Sequence, residues 1–148
     1  MNKLLIVLLV LIFLMSLPAH AADVLTVDDL QKISHLQSLK LIPKDPAKGA
    51  GGDLNFADGD NKLVAMIMVQ DISMYDFWEK QFGKNANSIP DLGDKGFQTK
   101  PGAFISYIVF KKGKQAVWIQ SMGWGKDGHP NFNNDQLCEL AKLAAARL

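Results

Sequence analysis

Hydrophobic and polar positions along the chain follow two periods, and the switches between them mark the elements. In Leu25-Thr26-Val27-Asp28-Asp29-Leu30, Thr26 is placed to cap a helix, Asp29 to answer it in a capping box, and Leu25 to pack onto Leu30. This predicts a first helix ending near Leu36. Similar grammar recurs at Ile72-Ser73-Met74-Tyr75-Asp76-Phe77, with Ser73 as cap, Asp76 at the third helical position and Ile72 over Phe77. The second helix is expected to stop at Gly83 in a left-handed conformation. A third follows Asn133-Asn134-Asp135-Gln136, where either asparagine can cap and Asp135 suits the positive end of the helix dipole. Leu137, Leu140, Ala141, Ala144 and Leu148 then recur at helical spacing and predict one inward stripe.

Between the helices the period shortens to that of strands. Leu63 to Val69 is apolar on both alternating faces, which predicts a central strand covered from both sides. Ala103 to Phe110 is similar, broken by Ser106 and the amphipathic Tyr107. Gln115 to Met122 pairs with it across the Lys112-Gly113 turn, with Val117 and Ile119 on one face and Ala116 and Trp118 on the other. A strand from Asp53 to Ala57 meets the Leu63 strand through Asp58-Gly59-Asp60-Asn61, residues that tolerate positive φ. A short strand near Lys95 to Gln98 completes the sheet.

The expected fold is therefore α+β, a mainly antiparallel sheet with helices on both faces. Ile89-Pro90-Asp91-Leu92-Gly93-Asp94-Lys95-Gly96-Phe97, the hairpin after it and a terminal helix ending Leu-Ala-Ala-Ala-Arg-Leu carry a resemblance. The stretch from residue 89 onward resembles small secreted bacterial domains in which a Gly-Leu-Gly-Asp turn precedes a strand hairpin and an alanine-rich helix. Here Asp91 stands where their first glycine does. The resemblance implies a PsbP-like α/β/α sandwich and brings no catalytic residues.

The N-terminal pattern changes the setting. Lys3, the apolar run Leu4 to Leu17 and the small-x-small triplet Ala19-His20-Ala21 have the form of a secretory signal peptide over residues 1–21. That run is shorter than the roughly 20 residues of a membrane-spanning helix. Ala22 rather than a cysteine follows the cleavage point, so no lipid anchor is indicated. Residues 22–148 are expected to form one globular domain, periplasmic or secreted, with no stable membrane anchor. Cys138 is the only cysteine, so the domain depends on its core rather than on a disulfide.

Charge removes one class of partner. Without Lys3, fifteen basic residues balance fifteen acidic ones, a poor footing for nucleic-acid binding. Lys111, Lys112 and Lys114 surround Gly113 and read as a solvated hairpin tip.

Three loops are candidate sites. Lys48-Gly49-Ala50-Gly51-Gly52-Asp53 could let backbone amides at Gly51 and Gly52 approach an anion, although it leads into a strand and lacks a Gly-Lys-Ser/Thr ending. A flexible connection or an entry bulge into an edge strand is the preferred reading. The Asp58 turn invites a calcium reading, but Lys62 and Leu63 stand where an EF-hand needs Asp or Asn and then Gly.

The third loop, Gly123-Trp124-Gly125-Lys126-Asp127-Gly128-His129-Pro130, joins the last strand to the last helix. Its glycines leave Trp124 without neighbours to bury it, so the indole can lie over a ligand or partner, with Lys126, Asp127 and His129 as polar companions. The competing reading folds Trp124 back as a lid on the core.

Other chemistry finds less support. His35 and His129 have no metal-ligand spacing, no Gly-x-Ser-x-Gly elbow occurs, and Ser73 is already a cap. Asp91 and Asp94 flank a turn, where bonding to backbone is their ordinary task, and Phe77, Trp78 and Phe82 are expected to be mostly core. Cys138 reads as a small, partly buried hydrophobe. The function these residues support is non-catalytic: an exported domain with a binding or accessory role in the cell envelope, its partner an envelope protein or small ligand, with no cofactor implied. The alternative is an enzyme with a dispersed site using His129, Asp127 and Cys138.

Overall fold

In the first helix the side chain of Thr26 accepts the N–H of Asp29, and the Asp29 carboxylate accepts the Thr26 N–H at 2.8 Å. The computed structural model describes residues 21–103, 105–125 and 128–148; apart from Ala21, the expected leader lies outside them. A single helical turn, Ala21–Val24, precedes α1, Val27–Ser34. The expected extension to Leu36 does not occur, because His35 turns left-handed at φ 60° and its N–H closes onto the Gln31 carbonyl. Leu25 and Leu30 are both fully buried in one cluster.

Seven antiparallel strands follow: β1 Lys40–Ile42, β2 Leu54–Ala57, β3 Leu63–Asp71, β4 Ala86–Ile89, β5 Lys95–Thr99, β6 Tyr107–Lys112 and β7 Gln115–Ser121. Their order across the sheet is β1-β2-β3-β7-β6-β5-β4. The sheet confirms the α+β expectation and its antiparallel character. The Asp58 turn closes β2 onto β3, with Asn61 at φ 62°. The Asp58 carboxylate accepts the N–H groups of Asp60 and Lys62, both at 2.9 Å.

The strand expected from Ala103 begins later, at Tyr107. Lys100 to Ala103 instead form a turn, closed by the Ala103 N–H on the Lys100 carbonyl. Thr99 and Tyr107 then exchange side-chain and backbone bonds at 3.2 and 3.3 Å. β1 and β4 are the two edge strands, short and largely exposed.

α2, Ser73–Phe82, corrects two local expectations. Ser73 is not its cap: Ile72 is already helical, and the Asp71 carboxylate accepts the Ser73 N–H at 3.0 Å. Gly83 is right-handed at φ −67°, and the chain tightens into a 3-10 turn, Gly83–Asn85, instead of terminating. α3, Asn134–Arg147, is capped by Asn133 in a complete box with Gln136.

Alternation along β6 and β7 sorts the core into two clusters. Ile108, Phe110, Val117 and Ile119 pack with Leu30 of α1 and with Leu137, Leu140, Ala141 and Ala144 of α3. Val109, Ala116 and Trp118 pack with Tyr75 and Trp78 of α2. Burial of each large aliphatic or phenylalanine side chain among them is worth about 1.5–3 kcal/mol, so both clusters contribute to stability. The second cluster is aromatic, with Tyr107 stacked on Trp118 at 4.5 Å and Trp78 edge-on to Trp118 at 5.5 Å. Burial, and then the neighbouring Glu79, push the Tyr75 phenol up. Phe77 and Phe82 depart from the expected burial, at 53% and 41% exposed: Phe77 lies on the helix face opposite Tyr75 and Trp78, whereas Phe82 shares their face, edge-on to Trp118 at 5.0 Å, in the last turn of the helix.

The lysine hairpin is only partly a solvated tip. Gly113 and Lys114 are exposed, but Lys111 lies over the Tyr75 ring at 4.8 Å, and the Lys112 ammonium donates to the Ala145 carbonyl near the end of α3. A cation suits that negative helix end. The Asp94 carboxylate accepts the Gly113 N–H at 2.8 Å, the backbone-bonding role its position predicts.

Candidate functional site

The loop after β7 is built on a buried anchor. Phe132 is fully buried, and its N–H donates to the Ser121 hydroxyl at 2.9 Å. Asn131 donates its amide to the Met122 carbonyl at 2.6 Å, holding the loop base against the end of the strand. Above that base Trp124 pairs with Pro130, and the Gly125 N–H donates to the His129 carbonyl at 2.7 Å. These two pairings bring the two ends of the loop together beside Trp124.

Trp124 is 46% exposed, so about half of its surface is open to solvent. It stands on the wall of an open cleft of about 1050 Å³. One side of the cleft comes from the loop, through Trp124 and His129; another comes from the Asp58 to Leu63 region. The first turn of α3, the end of α1 and the Pro101 to Ala103 turn complete it, with Ser106 among its lining residues.

The walls are held by their own hydrogen bonds. Asn134 donates to the Thr99 carbonyl at 2.6 Å, and Gln136 donates to the Ile33 carbonyl at 3.0 Å, tying α3 to the sheet and to α1. Such bonds place the cleft on rigid elements, which lowers the cost of ordering it around a ligand.

Of the residues singled out by sequence, Trp124 and His129 are brought to the cleft. Lys126 and Asp127 lie outside the described residues. Gly51 and Gly52 do not line it, and Gly52 is buried where a Cβ would sit 2.8 Å from the Ile67 carbonyl oxygen. Close packing, not anion binding, explains that glycine. The reciprocal bonds between Gly52 and the buried Asn55 amide, at 3.0 and 2.9 Å, fix the entry into β2.

Cys138 is half-buried against the first core cluster and does not line the cleft. His35 is exposed at the end of α1. Among the described residues no group of three or more His, Cys, Asp or Glu is placed to hold a metal ion. No helix among them is long and apolar enough to cross a membrane.

Sequence reasoning missed Ser106 and the Asn134 to Gln136 turn as parts of this site. Both were read for their role in secondary structure, and no local spacing joins residues separated by the whole β6–β7 hairpin. No family model, curated protein or solved structure matches this chain.

Proposed function

We propose that the protein is an exported, non-catalytic binding domain whose site is the Trp124 cleft. The observation that carries this reading is the indole itself, 46% exposed on the wall of an open cleft whose other walls are fixed by hydrogen bonds. A large aromatic held outside the core beside a concavity offers contact area at low entropic cost. The leader-like pattern of residues 1–21 supports export. The resemblance to PsbP-like secreted domains supports the same setting.

A thermal-shift screen of small ligands on the protein and on Trp124→Ala tests the proposal. At least one ligand should raise the melting temperature of the protein and fail to do so in the variant. Ligands that stabilise both equally would place binding elsewhere.

A further inference from the structure

We infer that the Trp124 cleft takes a neutral oligosaccharide, an inference that rests on the cleft being the binding site. Its main support is Ser106. That residue is only 4% exposed and lines the cleft, yet its hydroxyl makes no hydrogen bond to any described residue. Among the described residues no fully buried polar side-chain atom lacks a partner, so this oxygen must reach solvent, and the solvent beside it is the cleft. Buried polar groups ordinarily find partners, and a nearly buried hydroxyl left open to a cleft is placed to bond what enters.

The rest of the lining sets the ligand's chemistry. Asp58, Asp60 and Asp135 bring negative charge, while Lys62 and the first turn of α3 bring positive charge and open N–H groups at Asn134 and Asp135. The lining therefore offers both donors and acceptors, and with three carboxylates to one lysine it is no cradle for an anion. Hydroxyl groups, which both donate and accept, match such a surface and the Ser106 side chain.

Trp124, about half exposed among the lining residues, adds apolar indole surface. A molecule with one apolar face and a ring of hydroxyls is a pyranose sugar. The volume, about 1050 Å³, is at the upper end of the roughly 300–1,000 Å³ typical of ligand sites, which favours several linked rings over one.

Titration calorimetry on the protein as purified, with four trisaccharides, tests the assignment. Two are neutral, the β-1,4-linked trimers of glucose and of N-acetylglucosamine; one is cationic, the glucosamine trimer; one is anionic, the galacturonate trimer. At least one neutral trimer should bind saturably at a single site and the charged trimers should not. Ser106→Ala should weaken that binding about fivefold, the loss of one neutral hydrogen bond. Trp124→Ala should weaken it at least about tenfold. Both variants should keep the melting temperature of the parent.

Binding of a charged trimer instead, lost on Trp124→Ala, would overturn the neutral assignment and leave the cleft as the site. Neutral binding untouched by both substitutions would overturn it too, as would the absence of any binding. A non-saccharide hit from the thermal-shift screen that Trp124→Ala abolishes would then preserve the cleft reading alone. Unfolding of Trp124→Ala would remove the cleft reading itself.

Discussion

Arg147 at the end of α3 grips Asp29 of α1 with both arms of its guanidinium, Nη1 at 2.6 Å from Oδ2 and Nη2 at 3.0 Å from Oδ1. The same Nη1 donates to the Val24 carbonyl at 3.1 Å, so one side chain ties the last helix to both the first helical turn and α1. Asp29 also accepts the N–H and the hydroxyl of Thr26, both at 2.8 Å. The residue that completes the α1 capping box thus also receives the cation from α3. Among the causes that hold its carboxyl down at about 2, the Arg147 hydrogen bond is the largest, and burial opposes it.

Breaking the pair by Arg147→Met should destabilise the protein by about 2 kcal/mol, because Asp29 would be left buried without its cation. Arg147 is one-third exposed, which keeps the loss below that of a fully buried pair. Urea denaturation of both single variants and of Asp29→Asn/Arg147→Met should give a coupling of about 1–2 kcal/mol. Additive losses would mean that the two side chains act independently.

The pH dependence follows from the same carboxyl. Its folded pKa, about 2, is below the ordinary 3.8, so the stabilisation is fully present above about pH 4 and is lost as pH falls through the folded value. The shift corresponds to about 2 kcal/mol. Unfolding free energies of the parent and Asp29→Asn should therefore converge between about pH 4 and pH 2. A constant gap across that range would contradict the assignment.

Asn133 accepts the Gln136 N–H at 2.9 Å, and its own N–H donates to the Gln136 side chain at 3.0 Å. Asn133→Ala should cost about 1 kcal/mol, the usual loss for such a cap. Amide exchange should rise most in the first turn of α3, and a change confined to other elements would argue against the cap as the cause.

Adjacent glycines should behave oppositely. A Cβ on Gly51 meets nothing within 4 Å, whereas one on Gly52 meets the Ile67 carbonyl oxygen at 2.8 Å and the Met66 side chain. Gly51→Ala should be neutral to within about 0.5 kcal/mol, and Gly52→Ala should lose about 1–3 kcal/mol, as read from melting curves. Equal effects would remove the packing explanation.

The elements legible in the sequence are those whose signals are local. The capping boxes at Thr26 and Asn133 and the alternation of Ala116, Val117, Trp118 and Ile119 between two clusters can be read from neighbours a few positions apart. β1 and β4 are less legible because edge strands of three and four residues, mostly exposed, carry no alternating apolar pattern. Ser73 fails as a cap because Ile72 is already helical and Asp71 performs the task two residues earlier than the pattern implies. At the site, Trp124 and His129 are visible as loop chemistry, flanked by glycine and followed by proline. Ser106 is not, since its significance depends on the Pro101 turn, the end of α1 and the start of α3 meeting at one end of the sheet.

The most direct test of the cleft as a binding surface is the unfolding free energy of Trp124→Ala, measured by urea denaturation and compared with the parent. A residue that stands outside the core to meet a ligand should change stability by no more than about 1 kcal/mol when truncated. A loss of about 3–5 kcal/mol, the magnitude for emptying a core tryptophan site, would contradict the account and return Trp124 to a structural role.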